Sequence, residues 1–416
     1  MKSTNKNKNS VIFISAIVAI IVLSLIIFIA YHLLQIEEIN NTDRYSPNSV
    51  TSNAVLKEQD EQHEKKEQFT NIRIAATGDI MFHDTQLQSA FDEASGTYDF
   101  KSFFEDVKPI LSLADLTIAN FESTLGGPDM KYTGYPLFNS PDEVVDAIQY
   151  AGIDVVTTAN NHSLDTGSEG LKRTIHIFRE KGIDTVGTFD EKPNSRVLLK
   201  EIKGVKIAIL SYTESTNGLG KNYSTKALND MLNLMDKERI VRDIQEAKDL
   251  NADFIISYMH WGDEYAEEPN AKQIEYAQMM AQEGVDLILG SHPHVIQRSE
   301  VIETKDRQTF VIYSMGNFIS NQRKETLGSE REMTEDGVII LADIKKNHET
   351  NETTIEHIEY IPTWVYRHQE DGQSKYTYRI LPIEDFLMSD EIAQTYKRRM
   401  ERSFDSTVSK MEKEPF

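Results

Sequence analysis

The feature that most constrains this chain is a recurring unit, a short apolar, largely β-branched run that stops abruptly in polar residues. IRIAAT ends in Gly78-Asp79, LTIAN in Phe121-Glu122, and DVVTTAN in Asn161-His162. The pattern returns as VKIAILSYTE, DFIISYMHWGDE, VDLILGSHPHV and FVIYSMGNF. Continuous rather than alternating apolar runs predict strands buried on both faces, as in parallel sheets. Helical spacing occupies the intervals Pro141–Ala151, Glu169–Lys181 and Gln273–Glu283, and Gly152, Gly182 and Gly284 supply the stop signals. Strands alternating with helices imply an α/β domain with a largely parallel sheet.

In open α/β sheets, ligands sit beyond the carboxyl ends of the strands. The chain has eleven histidines, and four of them, His162, His260, His292 and His294, fall at such ends. Asp79, Glu122 and Asn161 arrive at three more. A lone histidine there is ordinarily a hydrogen-bonded surface or core residue, and a Gly-Asp pair is ordinarily turn chemistry. Seven nitrogen and oxygen donors in one ordered set instead predict a cage for divalent ions of the Mn, Fe, Zn or Ca type. Two such ions about 3.5–4 Å apart form the usual clamp for displacement at phosphorus.

Acidic residues outnumber basic ones by 67 to 44, giving a net charge of −23, which argues against nucleic acid as a partner. A polyanionic ligand would need a local positive centre, which bound cations supply. With no cysteine in the sequence, thiolate metal sites, thiol catalysis and disulfides are excluded.

Residues 11–34 read VIFISAIVAIIVLSLIIFIAYHLL without one charged side chain. A run of about 20 apolar residues crosses a bilayer core of roughly 30 Å, so a single transmembrane anchor is expected. Lys2, Lys6 and Lys8 precede it and Glu37, Glu38 and Asp43 follow, which places residues 1–10 in the cytoplasm and the main domain outside. A cleaved signal peptide is the rival reading, but its core is shorter, and no A-x-A site follows Ala30. Residues 35–70 read as a polar, flexible linker.

The strings GDIMF, ANFEST, TANNHSLDTG, HWGDEY, GSHPHV and SMGNF, in that order, resemble the CapA/PgsA family of poly-γ-glutamate capsule synthesis. More broadly they are similar to the calcineurin-like metallophosphoesterase superfamily. The resemblance runs from Ile72 to Ile344, and IPTWVYR and YRILPIEDF are similar to the segment that closes such domains. It implies a four-layer α/β/β/α sandwich over residues 71–345, followed by a closing segment and helical tail over 346–416.

Carried over motif by motif, the resemblance implies that Asp79 and His294 bind one metal and Asn161, His260 and His292 a second. Glu122 takes the bridging place. His162 stays unmetallated, as the acid or charge stabiliser facing the leaving group. One departure concerns the opening motif, where superfamily members carry Asp-x-His and this chain has Met81. A thioether is a poor ligand for such ions, which leaves one site a ligand short unless His83 compensates.

Two functions are expected from the resemblance. The first is a membrane-anchored component of capsule-polymer synthesis and export, beside a cytoplasmic ligase-type synthetase and small membrane subunits. The second is a metal-dependent phosphoesterase acting on the cell envelope. Among the remaining residues, Glu264 reads as an imidazole-orienting carboxylate or a solvated one. Asn317 reads as a loop organiser, Trp261 as a pocket wall and Trp364 as packing. The basic run KRRMER, Lys397 to Arg402, reads as a solvated helix face, or as one that contacts an acidic polymer or anionic lipid.

Overall fold

The computed structural model describes residues 68–413 and Phe416. The expected anchor over 11–34 and the cytoplasmic end and linker before residue 68 lie outside the described residues. Among the described residues no helix is long and apolar enough to cross a membrane.

Strand β1 (Phe69–Ile80) is followed by a minor hairpin, β2 (Phe91–Asp92) with β3 (Thr97–Tyr98). Then come β4 (Leu116–Phe121), β5 (Val155–Thr157) and β6 (Asp184–Val186). The next group is β7 (Leu198–Ile202), β8 (Val205–Thr213), β9 (Phe254–His260), β10 (Leu287–Ser291), β11 (Ser299–Glu303) and β12 (Gln308–Ile312). The chain then returns with β13 (Asn317–Ile319), β14 (Asp336–Asn347), β15 (Glu352–His368) and β16 (Thr377–Pro382). These strands form two large sheets, ordered β16-β15-β14-β1-β4-β5-β6 and β11-β12-β10-β9-β8-β7, with β13 pairing β1 at its carboxyl end.

The strands that carry the polar motifs are parallel, β1 to β4 to β5 to β6 in one sheet and β8 to β9 to β10 to β12 in the other. The other flank of the first sheet is antiparallel, through β14, β15 and β16. This departs from a largely parallel expectation for a physical reason. Short turns join β14 to β15 and β15 to β16, and a hairpin-length connection permits only antiparallel pairing.

The sheets face one another across an aliphatic core. Ile72, Ile74, Ile118 and Val155 of the first meet Ile207, Ile209, Ile256 and Leu289 of the second, all essentially inaccessible to water. Each such side chain contributes roughly 1.5–3 kcal/mol by burial. The outer faces carry helices. On the first sheet, α1 (Glu143–Ala151) and α2 (Gly167–Glu180) cover Ala75, Ala119 and Val156. On the second, α3 (Lys237–Asp249) and α4 (Ala271–Gln282) cover Leu210, Ile255 and Ile288. Asp236 caps α3 by accepting from the Arg239 amide, and Asn270 with Gln273 forms a capping box on α4. Gly152 closes α1 with φ 88°, the left-handed conformation that glycine adopts at little cost.

The C-terminal helix α5 (Gln394–Lys410) docks on β14 and β15, where Trp364 is fully buried beside Leu381 and Met400. Its basic run is not the free polar face expected. Arg399 pairs with Glu325 at 2.8 Å and with buried Glu335, and Arg402 reaches buried Asp336 at 3.0 Å. Arg399 and Arg402 thus meet carboxylates of the fold, while Arg398 is exposed and neither it nor Lys397 forms an ion pair among the described residues.

Candidate metal centre

Because β1, β4, β5, β9 and β10 all end at one edge, their terminal residues converge. Asp79 is the penultimate residue of β1, Glu122 follows β4, Asn161 and His162 follow β5, His260 closes β9, and His292 and His294 follow β10. Gly290 permits this closeness, since a Cβ there would sit 2.0 Å from the Tyr313 carbonyl oxygen. His292 and His294 themselves take left-handed backbones, φ 97° and 58°. That conformation is uncommon for residues other than glycine, and such backbone outliers cluster at functional sites.

Glu122 is the hub. Its Oε1 lies 3.6 Å from His260 Nε2, 3.8 Å from His294 Nε2 and 4.0 Å from His162 Nε2. Both of its carboxylate oxygens are buried without a hydrogen-bond partner, as is His292 Nδ1. Buried polar atoms are nearly always satisfied, so three orphans in one pocket mark a place built for something with positive charge. Two groups of donors have all their ligand atoms within 4.8 Å of one another: Asp79, Glu122 and His260, and Glu122, His292 and His294. Glu122 belongs to both, as a bridging residue must. These groups show which donors lie close together and do not assign them to separate ions; Asp79 Oδ2 also lies 3.2 Å from His294 Nδ1. The donor set of imidazole, carboxylate and amide oxygen fits borderline divalent ions.

The electrostatics separate the two carboxyl groups. Burial alone would raise Asp79, but the hydrogen bond and charge of His294 outweigh it and hold Asp79 well below the usual carboxylate range. Burial, with Asp79 beside it, pushes Glu122 well above that range. Burial and the neighbouring His292 drive His260 well down, and burial and His294 bring His292 to about 4. Neutral imidazoles are the form that ligates metals.

Several residues that the sequence did not single out position the ligands. Asn120 donates to Asp79 Oδ1 at 2.7 Å and contacts His260 Nδ1 at 3.3 Å. Ser291 Oγ lies 2.9 Å from His260 Nδ1, while Asn161 Oδ1 lies 2.9 Å from its Nε2. Asp165 Oδ2 accepts from His162 Nδ1 at 2.7 Å and from the Phe138 amide at 2.7 Å. Its place three residues after His162 was the available signal.

Asn317 does more than organise its loop. Its Oδ1 is 3.1 Å from His294 Nδ1, and its Nδ2 donates to the Thr334 carbonyl at 2.9 Å. Glu264 is exposed, so it is the solvated alternative. Trp261 is not a pocket wall, because it is fully buried against Tyr313 on the helix side of the second sheet. Met81 is buried, and His83 belongs to neither ligand group. The Nδ1 of His83 accepts from the Asn321 amide at 3.2 Å, and at the start of the helix over 84–90 the Gln86 side chain accepts from the His83 amide at 2.9 Å.

Two facing sheets with imidazoles and carboxylates gathered at their shared carboxyl edge define a candidate metal-binding α/β protein. Residues 73–322, more than half of the chain, match the family described as "Bacterial capsule synthesis protein PGA_cap", and the chain belongs to that family. It is 31% identical over 268 residues to the "Capsule biosynthesis protein CapA" of Bacillus anthracis, covering 62% of each chain. It is likewise 31% identical over 250 residues to the "PGA biosynthesis protein CapA" of Bacillus subtilis (strain 168), covering 59% of this chain and 62% of that one. The match thus spans less than two thirds of these relatives. Among solved structures it aligns with the calcineurin-like phosphoesterase YfkN from Bacillus subtilis at 15% identity and a TM-score of 0.41, over 82% of this chain and 98% of that one.

Proposed function

We propose that this protein is a membrane-anchored, extracytoplasmic component of poly-γ-glutamate capsule synthesis and export, acting through a divalent-cation site. Family membership supports the capsule role, and the lysines ahead of the apolar run at 11–34 support the orientation. The observation that carries the site is Glu122, buried among three imidazoles with neither oxygen partnered. Asp79, Glu122, Asn161, His260, His292 and His294 would hold one or two ions. When bound, such ions supply concentrated positive charge within a protein of net charge −23, against which an acidic polymer is neutralised. The partners on this reading are membrane lipid around the anchor, a cytoplasmic synthetase, small membrane subunits and the acidic polymer itself. Deleting the gene in an encapsulated host should abolish capsule, and a His292→Ala copy should fail to restore it. Normal capsule in the deletion strain would sink the proposal.

The alternative is a metal-dependent phosphoesterase of the cell envelope, favoured by one observation. His162 is fixed by Asp165, and with its Nδ1–H donated to that carboxylate its Nε2 is left beside Glu122 and 3.4 Å from the Asn217 amide nitrogen. With a second proton on Nε2, the ring would face a departing alkoxide as an acid or a charge stabiliser. Purified protein that cleaves neither phosphomonoesters nor diesters with Mn, Fe, Zn or Ca supplied rules it out.

A further inference from the structure

We propose that Arg331, braced on Tyr265 beside His294, is the anion-recognition residue at the mouth of the candidate metal centre, binding a carboxylate or phosphoryl group of the ligand. This deepens the cation-site reading above and rests on it. In this acidic protein most arginines are neutralised internally. Arg73, Arg173, Arg307, Arg379, Arg399 and Arg402 each meet a carboxylate. Arg331 forms no ion pair with any described residue, and its guanidinium instead lies 4.4 Å from the centre of the Tyr265 ring.

Both members of this pair are tied to the ligand histidines. The Tyr265 ring is 6.2 Å from that of His294, and its amide donates at 2.7 Å to the carbonyl of Pro293, between the two ligand histidines. Tyr265 accepts a left-handed backbone, φ 66°, to occupy that place. Arg331 lies in the segment Ser329–Glu335, whose Thr334 carbonyl receives the Asn317 amide that in turn holds His294. The Arg331 backbone is fixed from both sides, its amide donating to the Gly328 carbonyl and its carbonyl accepting from Thr334 Oγ1. A planar guanidinium with a fixed base and no internal partner matches the fork geometry of carboxylate and phosphate. Stacking on an aromatic face holds it ready without neutralising it.

The test uses the full chain in detergent, loaded with manganese, as wild type, Arg331→Gln and Arg331→Lys. Calorimetric titrations use a short γ-glutamyl oligomer in one arm and inorganic phosphate in the other, and metal content is measured for each protein. Arg331→Gln is expected to weaken binding by about tenfold or more, with Arg331→Lys intermediate and metal content unchanged. Loss confined to the oligomer assigns a carboxylate ligand, and loss confined to phosphate assigns a phosphoryl one. A metal-loaded wild type that binds neither anion, or binds as tightly as Arg331→Gln, overturns the anion site alone. A wild type that takes up no metal overturns the cation-site reading and this inference with it.

Discussion

Replacing Glu122 with glutamine is expected to move stability in opposite directions with and without a divalent cation. In the ion-free protein Glu122 is fully buried, its oxygens have no donor, and burial beside Asp79 pushes its carboxyl well above the usual range. Such an uncompensated group costs about 1–3 kcal/mol, which an uncharged amide of the same shape largely relieves. For a folded unit of this size the gain reads as a rise in Tm of about 1–4 °C. With free ion at a hundredfold excess over Kd, the wild type gains about 2.7 kcal/mol. A hundredfold loss of affinity in the variant removes about 2.3 kcal/mol of that gain, which reverses the order of stability wherever the ion-free gain is about 2 kcal/mol or less. Thermal unfolding of both proteins, in chelator and then in a manganese series, reads the crossover directly. A variant less stable than wild type in chelator would refute the reasoning, because Glu122 would then be satisfied by the protein itself.

Asn317→Ala frees the His294 imidazole and strips the Thr334 carbonyl of its donor, so metal affinity should fall roughly 10–100-fold in a competition titration against a chelating dye. Arg402→Ala leaves Asp336 buried without its cation, and urea denaturation should show a loss of about 3–5 kcal/mol. His83 and His292 are each driven by burial from 6.5 to about 4. The unfolded chain therefore binds their protons first. Their contribution is complete above pH 6.5 and is lost as pH falls toward 4. Urea midpoints of the metal-free protein across that window should decline, and His83→Gln should flatten part of the slope.

The strand ends were readable because continuous apolar runs announce their own termini, and Asp79, Glu122, Asn161, His162, His260, His292 and His294 all lie at one edge of the fold. Less was legible where meaning depends on distant partners. KRRMER looks solvated in isolation, yet Arg399 is neutralised by Glu335, which lies 64 positions earlier. Trp261 adjoins a ligand in sequence but points to the opposite face of its sheet, as the alternation of side chains along a strand requires. Asn120 and Ser291 carry no distinctive spacing, and only the meeting of two sheets gives them a shared imidazole. Arg331 sits among glutamates in the sequence, and nothing there shows that it escapes them.

The placement of β14 beside β1 governs the order in which this molecule is assembled. Arg73 and Asp343, which pair across those strands, stand 270 positions apart. A ribosome therefore releases the Asp79 strand long before its antiparallel neighbour exists. Closing so wide a loop is slow, and in the interval the apolar flank of β1 is uncovered. Asp79 and Glu122 emerge early, His292 and His294 later, and the segment bearing Asn317 and Thr334 after them. The ligand set is thus complete only with His292 and His294, and Thr334, which holds Asn317, lies beyond residue 322, where the family match ends. A fragment cut at that limit would lack β14, the antiparallel neighbour of its first strand, and it would be expected to aggregate rather than fold.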